Sequence, residues 1–404
     1  MVALATIANG GFLVVDWGAI GRCIHRLKSV FSRRSAREPP MKFSIIYEAQ
    51  IADLSRENEA QMFHDMVEQS LYAEQHGFDT IWAVEHTSLT QYAHMSTPET
   101  FLAFIAGATE RIHVGHGVVC LPHAMNHPIK VAERIAMLDI LSKGRLHFGV
   151  GKGGTEQEAG AFGTTLEEAH LQVEESMYMI PKMWHEGEFS FESDVTGLKI
   201  PPRPIHPKPY SDPHPPMYLA CTREDSLLVA GARGMGALVL AFGGPNEVAH
   251  KNMIYREAYA NRKNENQVGD FATEHLAALC PAVVLDDAEK ALQIGLRGQR
   301  FFVDSLAHWY HGGDKPTITL QIEEIEKEVA THLGEDKIET SSTTTNHAFG
   351  SVDQAIVYVQ RLLDAGADEI LFLFQMGTVP HEAIMESIKN IGEHVIPHFR
   401  NHQQ

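Results

Sequence analysis

The chain is poor in the features that mark several large classes of protein. Only four cysteines occur in 404 residues. Cys23, Cys120, Cys221 and Cys280 are scattered, with no CxxC or other ligand-like spacing. That pattern speaks against a disulfide framework and for a reducing compartment, so the expected location is the cytoplasm. Histidine is plentiful, at 24 residues. Yet the pairs His113/His116 and His123/His127 lack the acidic companion of an HExxH-type site, and no metal is expected. Basic residues are outnumbered, 33 against 52 acids, for a net charge of -19. A field of that sign repels nucleic acid and anionic membranes, so neither is an expected partner. Long apolar runs are missing too. The stretch from Val2 to Ile20 is broken by Asn9, Gly10, Gly11 and Asp16, which makes a poor membrane span. Its positive charge follows the apolar part, the reverse of a secretory signal.

Residues 1–40 carry six Lys or Arg and two acids. They read as a poorly ordered N-terminal extension, with Met41 as an alternative start. From Met41 the pattern changes to strand, turn, helix, repeated. Apolar strands are expected at Lys42–Tyr47, Thr80–Val84, Arg111–Leu121, Arg145–Val150, Met217–Ala220, Ala237–Ala241, His275–Leu285 and Glu369–Phe374. Helices are expected between them, among them Ser55–His76, Glu99–Ala108, Pro128–Leu141, Thr165–Trp184, Glu224–Ala232, Asp286–Leu296 and His381–Phe399. The proline-rich run 201–216 can be neither helix nor central strand.

Eight strands alternating with helices imply a parallel sheet, and eight units suit a closed α/β (β/α)₈ barrel spanning residues 41–400. An open doubly wound sheet satisfies the same alternation. Residues 299–350 stand outside it, after the seventh strand. They contain Phe301, Phe302, Trp309 and Tyr310 and then the polar tract Ser341–Thr345. Such an insertion reads either as an active-site lid or as a surface excursion.

Several residues have chemistry suited to a site. Glu85 and His86 end the second strand, and in a barrel that end faces the active site; an imidazole there serves as acid or base near neutral pH. Glycines in the third strand, Gly115 and Gly117, mark a bulge or a close backbone approach, or simple packing. Residues 149–154 spell GxGxxG, but after the fourth strand, where a dinucleotide fingerprint does not belong. Cys221, Thr222, Arg223 and Ser226 sit where a helix begins, a place that favours a phosphate, with plain helix capping as the other reading.

Taken together, four segments resemble the bacterial luciferase-like monooxygenase family. They are Gly77–His86 (GFDTIWAVEH), Leu121-Pro122 through His127-Pro128, Leu138–Arg145 leading into Gly149–Gly153, and Phe374–Gly377 with Pro380–Glu382. Their order and spacing carry the signal, which covers residues 41–399. The resemblance implies a TIM barrel binding FMN, or a deazaflavin, at its strand C-termini. It implies a catalytic role for His86 with Glu85, and a cis peptide at Gly117-Val118 against the ring. Lys152 and the segment Cys221, Thr222, Arg223 and Ser226 would hold the phosphate, and Gln375 would meet the ring or substrate. Tyr47, Trp82 and Trp309 are expected in the substrate pocket.

The activity implied is that of a two-component monooxygenase. Reduced FMN would come from a separate NAD(P)H-dependent flavin reductase, and oxygen would be incorporated into a small apolar organic substrate. Hydride transfer with a deazaflavin, or flavin binding without catalysis, are the alternatives. A homodimer or tetramer is expected, joined through the apolar helices after strands two and three.

Overall fold

A computed structural model of the chain describes residues 3–6, 12–15, 41–316 and 347–401. It has two compact units, residues 1–41 and 42–404. In the first, β1 (Ala3–Thr6) pairs antiparallel with β2 (Phe12–Val15). The rest of the expected N-terminal extension lies outside the described residues.

The second unit opens with β3 (Lys42–Tyr47) and α1 (Arg56–Gln75). Ser55 caps α1 by accepting the Asn58 N–H at 3.2 Å, and Gly77, at φ +80°, turns the chain left-handed just after it, a conformation glycine adopts without strain. Next come β4 (Thr80–Ala83), α2 (Pro98–Ala108), β5 (His113–His116), β6 (Val119–Cys120), α3 (Pro128–Leu141) and β7 (Leu146–Gly151). A short α4 (Glu156–Ala161) and a long α5 (Leu166–Met183) follow. The antiparallel pair β8 (Glu188–Glu192) and β9 (Lys199–Pro204) stands apart from the main sheet and holds the start of the proline run. Then come β10 (Met217–Cys221), α6 (Glu224–Arg233), β11 (Gly236–Val239), α7 (Pro245–Ala260), β12 (Leu276–Val284) and α8 (Ala288–His311). The chain closes with β13 (Ala348–Gly350), α9 (Val352–Asp364), β14 (Glu369–Leu373), α10 (His381–Asn390), one π-helical turn at Ile391–Val395 and α11 (Ile396–Asn401).

Strands β3, β4, β5, β7, β10, β11, β12 and β14 pair in parallel, and β14 returns to β3. This is the closed eight-stranded barrel, not the open sheet. Its N-terminal end is filled by large side chains. Trp82 Nε1 donates to Glu369 Oε1 at 2.9 Å, and His275 Nε2 lies 2.7 Å from Glu369 Oε2. Tyr218 stacks on His147 and meets Trp82 edge-on. Strand glycines make the room. A Cβ at Gly115 would come within 2.4 Å of the Trp82 ring, and one at Gly236 within 2.4 Å of the Tyr218 ring. The N-terminal end is therefore a packed core, which leaves the C-terminal end for a ligand.

Two expected elements differ. The third strand is split into β5 and β6 at Gly117-Val118. The helix after the seventh strand does not stop near Leu296 but runs on through Trp309 and Tyr310, so an insertion beginning at residue 299 would start inside it. Asp287 caps its start by accepting the Lys290 N–H at 3.1 Å, and Gly312, at φ +73°, ends it. Gly295 and Gly298 do not break it, because they lie where Phe349 and Val379 pack closest. The first part of α8 packs against β12 and β13, and its end reaches over the strand C-termini to the loop after β4. Ser305 Oγ bonds the Gln91 carbonyl at 3.0 Å and Trp309 Nε1 the Thr90 carbonyl at 2.9 Å. The tract Ser341–Thr345 lies outside the described residues.

Candidate active site

Strand alternation decides which residues reach the mouth. On β3, Ile46 faces inward, 3.5 Å from the position of a Cβ at Gly117. Phe43 and Tyr47 face outward, to Phe399 and Phe101. Tyr47 is thus buried in the layer between strand and helix, and its place in the substrate pocket is corrected. Trp82 faces inward but is bonded to Glu369 at the opposite end of the barrel, so it belongs to the core. Trp309 ties α8 to residue 90. Its neighbour Tyr310 covers the mouth instead: a Cβ at Gly154 would sit 2.1 Å from the Tyr310 hydroxyl, and that hydroxyl hydrogen-bonds Tyr92.

His86 follows β4 and faces the mouth. Its Nδ1 lies 2.9 Å from Glu158 Oε1 and its Nε2 lies 3.8 Å from Glu48 Oε2. Its ring sits 5.2 Å from that of Tyr92. Burial works against charge on His86, and the three carboxylates Glu158, Glu48 and Glu85 outweigh it, so its pKa is raised. Glu158 stands on α4, whose cap Thr155 accepts the Glu158 N–H at 3.2 Å. Its carboxylate also takes the Thr155 hydroxyl at 2.9 Å and the backbone N–H of Thr87 and Gly154, each at 3.3 Å. Burial pushes Glu158 up, but the bonds from His86, Thr155 and Thr87 prevail and its pKa is lowered.

Glu85 points the other way. It accepts the Cys120 N–H at 2.7 Å and the Asn126 amide at 2.9 Å, so it braces the segment after β5. Burial is the main cause that pushes its pKa up to about 7. The expected catalytic role of Glu85 is replaced by this bracing role, because both oxygens are engaged away from His86.

The Gly117-Val118 peptide is cis, as the resemblance implied, and the Gly117 N–H bonds the Ala83 carbonyl at 2.8 Å. The GxG of β7 has its reason here. A Cβ at Gly149 would fall 2.0 Å from the His116 carbonyl oxygen, and one at Gly151 would fall 2.6 Å from Val118. These glycines admit the bulge; they do not cradle a dinucleotide.

Across the mouth, β7 pairs with β10, Val150 opposite Leu219. Lys152 and the Cys221–Arg223 turn therefore leave adjacent strand ends. Burial lowers the Lys152 pKa, and the charge of Arg223 adds to the effect. Among the described residues neither cation has an ion-pair partner. Thr222 and Arg223 are exposed at the start of α6. Cys221 is buried with its thiol 3.4 Å from the carbonyls of Leu219 and Ser226, which removes it from any phosphate. Ser226 Oγ donates to the Arg223 carbonyl at 2.6 Å, so it must rotate before it can serve a ligand.

At the ends of β3 and β14, the buried oxygens Glu48 Oε2, Gln50 Oε1 and Gln375 Oε1 have no hydrogen-bond partner among the described residues. Buried acceptors without donors are costly. A ring carrying N–H groups suits them, and the two free cations suit its phosphate, so the residues present fit a flavin mononucleotide. A cleft of about 430 Å³ also reaches His86 from outside, between Phe63 on α1 and Leu89 and His94 in the next segment. Among the described residues no three His, Cys, Asp or Glu converge as metal ligands, and no helix is long and apolar enough to cross a membrane.

Sequence reading missed Glu48 and Glu158. Glu48 follows the first barrel strand, so the rule that strand C-termini carry chemistry reaches it. Glu158 reads as an ordinary helix-cap glutamate until the fold places it on His86.

Residues 41–369 match the model of a family described as "Luciferase-like monooxygenase". The chain is 28% identical over 234 residues to an alkanal monooxygenase alpha chain from the Kryptophanaron alfredi symbiont, covering 58% of this chain and 61% of that protein. It is 24% identical over 367 residues to the oxygenase component of a flavin-dependent trigonelline monooxygenase from Acinetobacter baylyi, covering 89% and 96%. Among solved structures, the monooxygenase RslO1 from Streptomyces bottropensis superposes with a TM-score of 0.72 at 22% identity, covering 89% of this chain and all (100%) of that one. The oxygenating constituent of 3,6-diketocamphane monooxygenase from Pseudomonas putida, in complex with FMN, gives 0.68 at 18%, covering 88% and 98%.

Proposed function

The chain belongs to the luciferase-like monooxygenase family, and on that premise we propose that it is the oxygenase of a two-component flavin system, acting on a small apolar organic substrate. The observation that carries this reading is the convergence of three features around one barrel mouth: the His86 imidazole, the cis Gly117-Val118 bulge, and the free cations Lys152 and Arg223.

When bound, reduced FMN would supply the reaction with molecular oxygen. The protein does the rest. Gly117-Val118 offers a side-chain-free approach for the flat ring. Lys152, Arg223 and the α6 N-terminus would hold the phosphate. Gln375 and Gln50 would accept ring N–H groups, and His86 would hold or deliver a proton beside it. The end of α8, with Tyr310 and Phe302 against Tyr92, would act as a lid that excludes water.

A separate reductase is supported by the relative named as an oxygenase component. A homodimer is supported by Phe104 on α2 and by Met137, Ile140 and Leu141 on α3, all exposed apolar side chains of the kind an interface covers.

The test is to mix the protein with photoreduced FMN in air and follow flavin reoxidation and hydrogen peroxide. Reoxidation slower than that of free FMN, with less peroxide released when an alkanal is added, is expected. Reoxidation indistinguishable from free FMN, or anaerobic hydride turnover with a deazaflavin, would replace this reading.

A further inference from the structure

We propose that Glu48 shares one proton with His86, so that the proton-handling unit of the mouth is a carboxyl–imidazole pair, and that Glu158 fixes which imidazole nitrogen takes part. This rests on reading His86 as the proton-handling residue of the flavin site.

The geometry supplies the argument. Glu158 accepts from Thr155, Thr87 and Gly154 as well as from His86. A carboxylate so fully occupied with donors stays ionised, so His86 Nδ1 must carry the hydrogen that meets it. The other nitrogen, Nε2, is left facing Glu48 Oε2 at 3.8 Å. That oxygen is buried and has no hydrogen-bond partner among the described residues. A lone pair on Nε2 opposite an ionised, desolvated carboxylate would be repulsive. One proton between the two relieves it, either as Glu48 carboxyl beside neutral imidazole or as Glu48 carboxylate beside imidazolium.

The groups facing Glu48 come from four segments: His86 after β4, Glu158 on α4, Tyr92 in the loop that follows β4, and Tyr310 on α8. Burial first, and the Glu158 charge after it, push Glu48 up to about 7, with His86 opposing. The two tyrosines are pushed up as well and stay neutral at physiological pH.

The step balances. With the 3.8 Å gap closed by a small rotation or bridged by one water, the Glu48 Oε2–H bond breaks and a His86 Nε2–H bond forms, leaving carboxylate and imidazolium. Nε2 then gives its proton to an acceptor in the mouth, and the imidazole returns to neutral with its Nδ1–H still on Glu158. Solvent in the cleft that reaches His86 returns a proton to the pair. Glu48 thus acts through His86 as a proton store, and Glu158 as its positioning residue.

The experiment is infrared difference spectroscopy of the full chain against pH, with and without FMN, paired with nitrogen NMR of labelled histidine. Two glutamic carboxyl signals should titrate near neutral pH. Glu85→Gln should remove one and Glu48→Gln the other. In the wild type His86 should be the Nδ1–H tautomer, and Glu158→Gln should mix the tautomers. Should Glu48→Gln not fold, Glu48→Asp, which keeps the carboxyl, and the wild-type tautomer decide the matter. Loss of no titrating carboxyl in Glu48→Gln, or an Nε2–H tautomer in the wild type, overturns the pair. Absence of FMN binding with both signals intact would instead sink the flavin reading and leave the pair standing.

Discussion

Single side chains at this mouth differ in what they do according to the way they turn. His86 and Glu85 are neighbours, yet one meets two carboxylates in the mouth and the other binds Cys120 and Asn126 behind it. The two should separate in experiment. His86→Ala should abolish product formation while the protein stays folded; unchanged turnover with an accepted substrate would remove His86 from the chemistry. The phosphate cations give a sharper comparison. Replacing Lys152 or Arg223 by alanine removes a charge-assisted contact of about 1.5–3 kcal/mol, roughly tenfold or more in affinity. FMN binding should weaken by that factor in a fluorescence titration, and riboflavin binding, lacking the phosphate, should not. Equal loss for both ligands would place the phosphate elsewhere. That His86 and Lys152 follow barrel strands was legible in the sequence, because the apolar runs before them mark the strand ends. Tyr47 and Trp82 were misplaced because inward and outward positions on a strand fully buried on both faces look alike.

Among the elements, β5–β6, β7 and α8 shape the mouth together. Gly149 and Gly151 leave space for the bulge, so a side chain there collides with backbone or with Val118. Gly149→Ala should be poorly soluble or several kcal/mol less stable, roughly the upper range for a core clash; a denaturation midpoint like the wild type's would show that the bulge can move aside. The sequence signalled these glycines but not their purpose, because the spelling of a dinucleotide loop and of a packing face coincide. The cover formed by the end of α8 was legible as aromatic-rich, but its continuation as helix beyond Leu296 was not, since Gly295 and Gly298 weaken the pattern until Phe349 and Val379 are seen to fill their place. If α8 excludes water, Trp309→Ala should loosen its tie to Thr90 and raise the share of oxygen released as hydrogen peroxide. An unchanged peroxide yield in a peroxidase-coupled assay would deny α8 that role.

For the whole molecule, eight strand–helix alternations were enough to infer the barrel, because a parallel sheet buried on both faces leaves continuous apolar runs in the chain. Its polar interior was not legible. Burial holds His116 neutral, down to about 3, and lowers His113 to about 4. These folded-state values lie below the unfolded ones, so protons favour the unfolded chain as pH falls below about 6.5. Glu369 acts lower still. Its bond and charge contact with His275 outweigh burial and hold it at about 2, so its contribution is present above about 4.5 and lost as pH falls from there toward about 2. Between pH 7 and pH 5 the histidines should therefore give urea stability a downward slope, about 2 kcal/mol of it from His116 alone, opposed by Glu48 and Glu85, whose raised values bind protons in the fold over the same range. His116→Met should flatten that slope, and an equal slope in the variant would put the sensitivity elsewhere.

The most direct measurement is a crystal structure of the chain with FMN. The isoalloxazine should rest on Gly117-Val118 beside His86, with its phosphate between Lys152 and Arg223. A flavin bound at any other place, or an empty mouth at saturating FMN, would contradict the convergence from which the proposed function is drawn.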